Sequence, residues 1–511
     1  MSLSRFTRRD FTAAASSLLG RSCLTRLAKA LRIPDLPDPS SASVAPRRDI
    51  YVIDLSHSAH AKLHTLPLNA VTIYDGFWGR RIAINRSAGI GEVYQKEVEN
   101  GRVSNFQRLH NVDPSRLDTD LHSLRPGADS EVYKWLEGAS WALTTPDASL
   151  QAKVRETVQA VVAAQEPSGY LDTYFVGNRV AQRMLPETQI VGHEVYSMGH
   201  LVQAGIALYR VTGDRTLLDA GLRFVNGYVL AGFGPEPEKL PLMSGHPGPE
   251  MMLVELYRET ADPKYLALAE YLLKGDDRIA VRAEQASYTF AGRPFTDRTA
   301  MEGHAVRAVY ACCGAADFAA ESGDPKYLRA LNRLWEDMTQ RQMYVTGGIG
   351  AVVHNEAFGG DFVLPNKGSY CESCANIGVL QWAYRMLALT GQAVYGDVLE
   401  RVLYNSVNSG MALDGLSFNY RNPLSDTPGT DPKVRRPFWY VNCCPPNLNR
   451  TFSSLQSFFY SSSHEGLYVH LYDNSQVNWH LEDGTPLRLK QTTTYPWGGV
   501  VDFLLEPARP I

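Results

Sequence analysis

Two strings carry the residues best suited to chemistry: Cys371-Glu372-Ser373-Cys374 and, about seventy residues later, Asn442-Cys443-Cys444-Pro445-Pro446. Thiolates and carboxylates are ligands of tetrahedral zinc. On spacing alone, Cys371, Cys374, Cys443 and Cys444 form a closed, all-cysteine site of the structural kind. Glu372, Cys374, Cys443 and Cys444 form the alternative set. A redox role for the CxxC lacks the βαβ setting it needs. Ser373 reads as the cap of a helix, whose N-terminal dipole lowers the pKa of a thiol beside it. Pro445 and Pro446 likewise place Cys443 and Cys444 just before a helix start.

Amphipathic stretches punctuated by Gly, Pro and Asp run from about 85 to 460 and must position these strings. An echo runs through them. Ala207-Leu208-Tyr209-Arg210-Val211-Thr212-Gly213-Asp214 returns as Glu255-Leu256-Tyr257-Arg258-Glu259-Thr260-Ala261-Asp262, and Lys264-Tyr265-Leu266 returns as Lys326-Tyr327-Leu328. Leu387-Ala388-Leu389-Thr390-Gly391 repeats the helix end. Each copy reads as a helical hairpin. Hairpins that cannot bury their faces alone stack, and they close most economically as a toroid with a nearly all-apolar inner ring. Ala375 to Leu389 reads as one such inner helix. Past Phe459 strands are expected at 466–472, 486–492 and 500–505. So few strands make a poor sheet, which Val71-Ile73 could complete; the favoured expectation is a β-sandwich cut short.

Of 511 residues, 44% are hydrophobic and 20% charged, which excludes a disordered chain or a polytopic membrane protein. A net charge of −4 offers no basic surface for nucleic acid. Thr7-Arg8-Arg9-Asp10-Phe11 precedes an apolar run to Leu19, and Ser43-Val44-Ala45 offers a small-x-small cleavage site. This resembles a twin-arginine export signal and predicts a periplasmic or extracellular protein without a membrane span. Loss of residues 1–45 would take the net charge from −4 to about −8. Of seven cysteines, Cys23 falls in that segment. The other six form three tight pairs, a pattern of metal binding or catalysis more than of disulfides. Cys312-Cys313 reads as core.

Three histidines precede or open predicted helices: His193 in Gly192-His193-Glu194, His246 in Gly245-His246-Pro247 and His304 in Gly303-His304-Ala305. All three could line one mouth of the toroid, although a lone histidine at such a place is ordinarily structural. His200 competes with His193 for its place.

The ordered strings Thr346-Gly347-Gly348-Ile349-Gly350, Asn355-Glu356-Ala357-Phe358, Leu364-Pro365-Asn366, Glu372-Ser373-Cys374-Ala375 and Cys443-Cys444-Pro445-Pro446-Asn447 closely resemble the β-L-arabinofuranosidase family, glycoside hydrolase family 127. The resemblance spans about residues 70–500. It implies an (α/α)6 barrel followed by β-sandwich structure; with the export signal read at 1–45, the expected order is that signal, a linker at 46–69, a catalytic barrel at 70–460 and a partial β-sandwich at 461–511. It implies Cys443 as nucleophile, Glu356 as general acid/base, and Zn2+ held by Glu372, Cys374, Cys443 and Cys444, which reverses the preference drawn from spacing. His193, His246, His304, Glu400, Tyr420 and Gln95 would contact the sugar. On the residues alone, Glu356 reads as a solvated loop acid and Glu400 as the partner of Arg401 or another helix-face cation.

A thiol can replace the second carboxylate of a retaining glycosidase if it is ionised, and zinc ligation ionises it. The expected activity is release of β-L-arabinofuranose or a related furanose from plant-type glycans, with retained configuration. The same mechanism on another pectin-derived sugar, or a non-catalytic carbohydrate-binding toroid with structural zinc, are the alternatives. The partner is a glycan, and a homodimer is compatible with this reading.

Overall fold

The computed structural model describes residues 5–7, 49–425, 435–481 and 484–508. The expected export segment, with its cleavage site and Cys23, thus lies outside the described residues except for Arg5–Thr7.

Twelve helices alternate between an outer and an inner layer: α1 (Ile90–Glu99), α2 (Asp129–Ala142), α3 (Ala148–Ala163), α4 (Glu194–Thr212), α5 (Thr216–Arg223), α6 (Pro249–Thr260), α7 (Pro263–Lys274), α8 (Ala305–Ser322), α9 (Pro325–Asp337), α10 (Ser373–Thr390), α11 (Ala393–Val402) and α12 (Cys444–Ser453). The even-numbered helices pack in succession, α2 on α4, α4 on α6, α6 on α8, α8 on α10 and α10 on α12. Helix α12 then returns to α2, which closes the ring. This is the expected (α/α)6 barrel. Inner helices are buried on nearly every face: α8 is buried from Ala305 to Ala320, and α10 exposes only part of Gln381, while α2 and α12 bury charged residues such as Glu131, Lys134 and Arg450 as well. Outer α9 instead buries one stripe, Tyr327, Ala330, Leu331, Leu334 and Trp335.

The sequence echo is the inner-to-outer turn. Helices α4, α6, α8 and α10 each end on a left-handed residue: Gly213, Ala261, Gly323 and Gly391. Asp262 and Asp324 then accept the backbone N–H groups of Lys264 and Lys326, with Pro263 and Pro325 opening the next helices.

Residues 49–69, expected as a linker, are a packed strap. The N–H of His60 reaches Ala320 O, and those of Lys62 and Leu63 reach Ala388 O. These carbonyls belong to the last turns of α8 and α10, where they lack partners within the helix. Leu55, Leu63 and Leu66 are buried with them.

Strands are β1 (Arg5–Thr7), β2 (His64–Thr65), β3 (Val71–Ile73), β4 (Phe418–Asn419), β5 (Arg435–Arg436), β6 (Tyr460–Ser463), β7 (Gly466–Val469), β8 (Ser475–His480), β9 (Pro486–Thr493) and β10 (Val500–Pro507). They form an antiparallel sheet β1-β10-β9-β8-β3, a sheet β2-β6-β7 and the pair β4-β5. Strands β7, β9 and β10 fall close to the expected positions, whereas β6 and β8 are additional to them. Val71–Ile73 does join the sheet, through β8. Tyr460 of β6 bonds Ser475 of β8 and Gln491 of β9, tying the two sheets together. Asp473 ties the larger sheet to the barrel: its carboxylate accepts the N–H groups of Phe77, Trp78 and Gly79 at 3.1, 2.6 and 3.1 Å.

Ala261 stands at φ 58°, where the other three turns have glycine. A left-handed alanine costs about 1–2 kcal/mol, partly offset by the smaller entropy of its unfolded chain. Ala261→Gly should therefore raise unfolding stability by about 0.5–1 kcal/mol in reversible denaturation. No gain would show that the turn is not strained.

Candidate active site at one mouth of the barrel

Glu372, not Ser373, occupies the N-cap position of α10 (φ −61°, ψ 138°). The stretch before it is zipped to a neighbouring strand: Ser373 N–H donates to Tyr420 O at 2.9 Å, and Ser373 Oγ to Asn419 O at 2.8 Å. That pairing brings Tyr420 to the site. Cys443 is the N-cap of α12, with Cys444 and the two prolines forming its first turn. The backbone N–H of Asn442 donates to the Glu131 carboxylate, and its side-chain amide donates to Glu97 Oε1 at 2.6 Å. Two buried acids from α2 and α1 thus hold the turn that carries Cys443.

The helix starts converge on one cluster. Cys374 Sγ lies 3.6 Å from Cys443 Sγ and 3.3 Å from Cys444 Sγ, and the latter two sulfurs are 3.8 Å apart. Glu372 Oε1 is 3.4 Å from Cys443 Sγ and 3.5 Å from Cys444 Sγ. Sulfur ligands about 2.3 Å from a tetrahedral zinc lie about 3.7 Å apart, close to these separations. Glu372 Oε2 is buried with no hydrogen-bond partner among the described residues. The donor set therefore fits a divalent cation of the zinc type. Burial and the neighbouring Cys443 and Glu356 push the Glu372 carboxyl well up; Cys443 is pushed up to about 12, chiefly by its contact with Cys374. Cys374 settles at about 6, because hydrogen bonds from the other two thiols outweigh burial. Crowded donors that resist shared ionisation are what a cation binds in place of protons.

Cys371 does not join the cluster. Its backbone is left-handed (φ 42°), with its N–H tied to Gly350 O at 2.8 Å. Its side chain packs with Tyr344 and Ala351, and burial raises the thiol to about 12. The all-cysteine set favoured by spacing is not the set the fold assembles.

Glu356 ends a short turn in which Asn355 and Glu356 both adopt positive φ, 58° and 53°. Backbone held in this region is strain that surrounding contacts must enforce. Val352 and His304 both bridge to Ala357. The Glu356 carboxylate takes Tyr370 OH at 2.7 Å on Oε1 and His304 Nε2 at 2.9 Å on Oε2. His304 Nδ1 accepts the Val306 N–H at 3.2 Å, so its proton is on Nε2, aimed at Glu356. Burial would raise Glu356, but the His304 and Tyr370 bonds prevail and hold it at about 2. Oxygens of Glu356 and Glu372 and a His304 nitrogen lie within 4.8 Å of one another, which joins this pair to the thiol cluster.

The three histidines converge as expected. His193 and His304 are N-caps of α4 and α8, and His246 sits just ahead of α6. Ring centroids of His193 and His246 are 5.4 Å apart, and those of His246 and His304 5.7 Å. Burial, with help from the Arg307 charge, lowers His193 to about 3 and His246 well below its ordinary value. The rings are neutral hydrogen-bonding groups at working pH. His200 lies behind them, fully buried against Tyr196 at 4.5 Å, and does not replace His193. Tyr420 OH is 3.2 Å from Cys443 Sγ. Cys312 and Cys313 are core residues of α8.

Two expected sugar contacts lie elsewhere. Gln95 is on the exposed face of outer helix α1 and donates to Glu99 at 3.1 Å. Glu400 is on outer helix α11, where Tyr495 OH from the β9–β10 turn donates to it at 2.7 Å. Unanticipated members are Tyr370, two residues before Glu372, and the Asn442–Glu131–Glu97 support. Only the adjacency of Tyr370 and Asn442 to the cysteine strings could have signalled them.

Helix starts here gather paired acids, thiols and neutral imidazoles, groups suited to acid–base and nucleophilic chemistry. Residues 70–457 match the family described as the β-L-arabinofuranosidase GH127 catalytic domain. The chain is 33% identical over 424 residues to a non-reducing end β-L-arabinofuranosidase of Bifidobacterium longum, covering 77% of this chain and 64% of that one. It resembles the crystal structure of a GH127 β-L-arabinofuranosidase from Geobacillus stearothermophilus T6, with TM-score 0.78, 33% identity and coverage of 86% of this chain and 73% of that one. A second solved structure, a GH127 β-arabinofuranosidase, matches at TM-score 0.81 and 36% identity over 87% of this chain and 70% of its own. The chain belongs to glycoside hydrolase family 127.

The ligand set gives a direct test. Glu372→Ala should lose stoichiometric zinc by elemental analysis, while Cys371→Ser should retain it. The opposite pattern would restore the all-cysteine site.

Proposed function

We propose that the protein is a configuration-retaining β-L-arabinofuranosidase in which Cys443 is the nucleophile and Glu356 the acid/base. The observation that carries this reading is the partial exposure of Cys443. It is the one member of the Glu372, Cys374, Cys443, Cys444 cluster that is not buried. It also shares its mouth with Glu356, whose side chain is 31% exposed. A purely structural thiol site has no need of a ligand that is only partly buried. The Bifidobacterium relative supports the sugar.

Zn2+ held by Glu372, Cys374, Cys443 and Cys444 would keep the Cys443 sulfur a thiolate at neutral pH. The neutral rings of His193, His246 and His304 and the Tyr420 hydroxyl border the cluster as donors and acceptors for sugar hydroxyls. Cys443 Sγ forms a bond to the anomeric carbon as the glycosidic C–O bond breaks; Glu356, ionised in the free protein, takes up a proton from solvent as the glycan binds and gives it to the departing oxygen. Glu356 then takes a proton from water, whose oxygen displaces Sγ from the same carbon. Two displacements at one centre retain configuration. His304 Nε2–H and Tyr370 OH hold the two oxygens of Glu356 throughout, fixing the direction in which its proton moves.

Incubation with an activated β-L-arabinofuranoside or a furanose-mimicking covalent inhibitor should give an adduct on Cys443 by peptide mass spectrometry, with retained anomeric configuration by NMR. Binding without adduct or turnover would instead make the protein a carbohydrate-binding barrel. Glu356→Gln should slow turnover of a poor leaving group by about 10²–10⁴-fold. Tyr370→Phe removes a donor to the ionised carboxylate and so raises the Glu356 pKa. The alkaline limb of kcat/KM should move to higher pH; a fixed or lowered limb contradicts the assignment.

A further inference from the structure

The structure assigns Lys134 a role beyond packing: it is the buried counter-charge of the thiol centre. Lys134 lies on inner helix α2 and is 0% exposed. Its ammonium donates to Tyr196 OH at 2.7 Å and sits 5.0 Å from the centroid of that ring. Among the described residues no carboxylate is within ion-pair distance of it. The acids one turn away on its own helix are committed elsewhere: Glu131 pairs with Arg102 and Arg125, and Glu137 with Arg450. A wholly buried ammonium without an ion pair is strongly disfavoured unless other negative charge compensates it.

That charge is present across Tyr196. The Tyr196 ring packs 4.1 Å from His246 and 5.9 Å from His193, so one phenol spans from Lys134 to the mouth. The same helix also reaches the thiol centre directly: Glu131, one turn before Lys134, accepts the backbone N–H of Asn442, the residue that precedes Cys443. Three thiolates and a carboxylate around a divalent ion carry a net charge of about −2. Arg102 and Arg125 are balanced by Glu131 and Glu97, and Arg450 by Glu137, which leaves Lys134 as positive charge available to offset part of it. This inference rests on the proposed ligand set and deepens it: the centre is a charge pattern shared between helix starts and a cation placed on another inner helix.

The test uses the full chain, metal-free and loaded with Zn2+. Lys134→Gln and Lys134→Met remove the charge, and Lys134→Arg keeps it. Zinc affinity at neutral pH is read by competition with a chromophoric chelator, and thermal midpoints are measured with and without the metal. Charge removal should weaken zinc at least tenfold and shrink the thermal gain it confers, while the metal-free midpoint stays level or rises. Lys134→Arg should retain more affinity than Lys134→Gln. Unchanged zinc affinity, an equal thermal shift with and without metal, or Arg no better than Gln would each overturn the assignment. Should the Met variant fail to fold, the Gln and Arg pair gives the same comparison. The affinity measurement uses no sugar. An inactive wild-type protein would thus count against the proposed function alone, and an active one with unaltered variant affinity against Lys134 alone.

Discussion

Mutual repulsion among acids and thiols crowded at one point governs this structure. Glu372, Cys374, Cys443 and Cys444 present their donor atoms within 4.8 Å of one another, and three of the four are buried. Such a set can lose its protons only if positive charge is supplied. The fold supplies some through its topology, because α10 and α12 both begin there and bring the positive ends of their dipoles beside the cluster. Closing the ring of inner helices brings these two starts together, so the barrel and the cluster are one solution to one problem.

The same geometry divides labour between the groups. Burial keeps the three histidines neutral, and a neutral imidazole can donate and accept hydrogen bonds without adding charge beside the thiols. Glu356 is treated oppositely: two hydrogen-bond donors draw it toward its ionised form. Environments that push neighbouring titratable groups apart are a mark of acid–base function.

Much of the architecture could be read from residue patterns because it rests on local rules. The apolar text of Ala375 to Leu389 is an inner helix two residues longer at its start and one at its end. The Gly-Asp echo is the hairpin turn. The site was legible where its residues stand at helix starts, as with His193, His304, Cys374 and Cys443. It was illegible where a backbone torsion or a helix face decides. Nothing in the string Cys371-Glu372 announces that residue 371 is left-handed and turns its thiol toward Tyr344. Gln95 matches a motif by residue type, yet its side chain leaves α1 on the solvent side. Glu400 was matched in the same way, and it is claimed by a tyrosine from a sheet far along the chain. Lys134 is a long-range effect of a different kind, since its meaning depends on which acids are already paired.

Asp473 gives the sheet a standing that its small size would not suggest. One carboxylate beside β8 satisfies three amides that open the Phe77–Ile84 helix, and Trp78 of that helix is entirely buried. Stripping away the strands would leave those amides without their acceptor. Sheet and toroid are therefore expected to melt in one concerted transition, and neither is a module that could be exchanged while the other kept its shape.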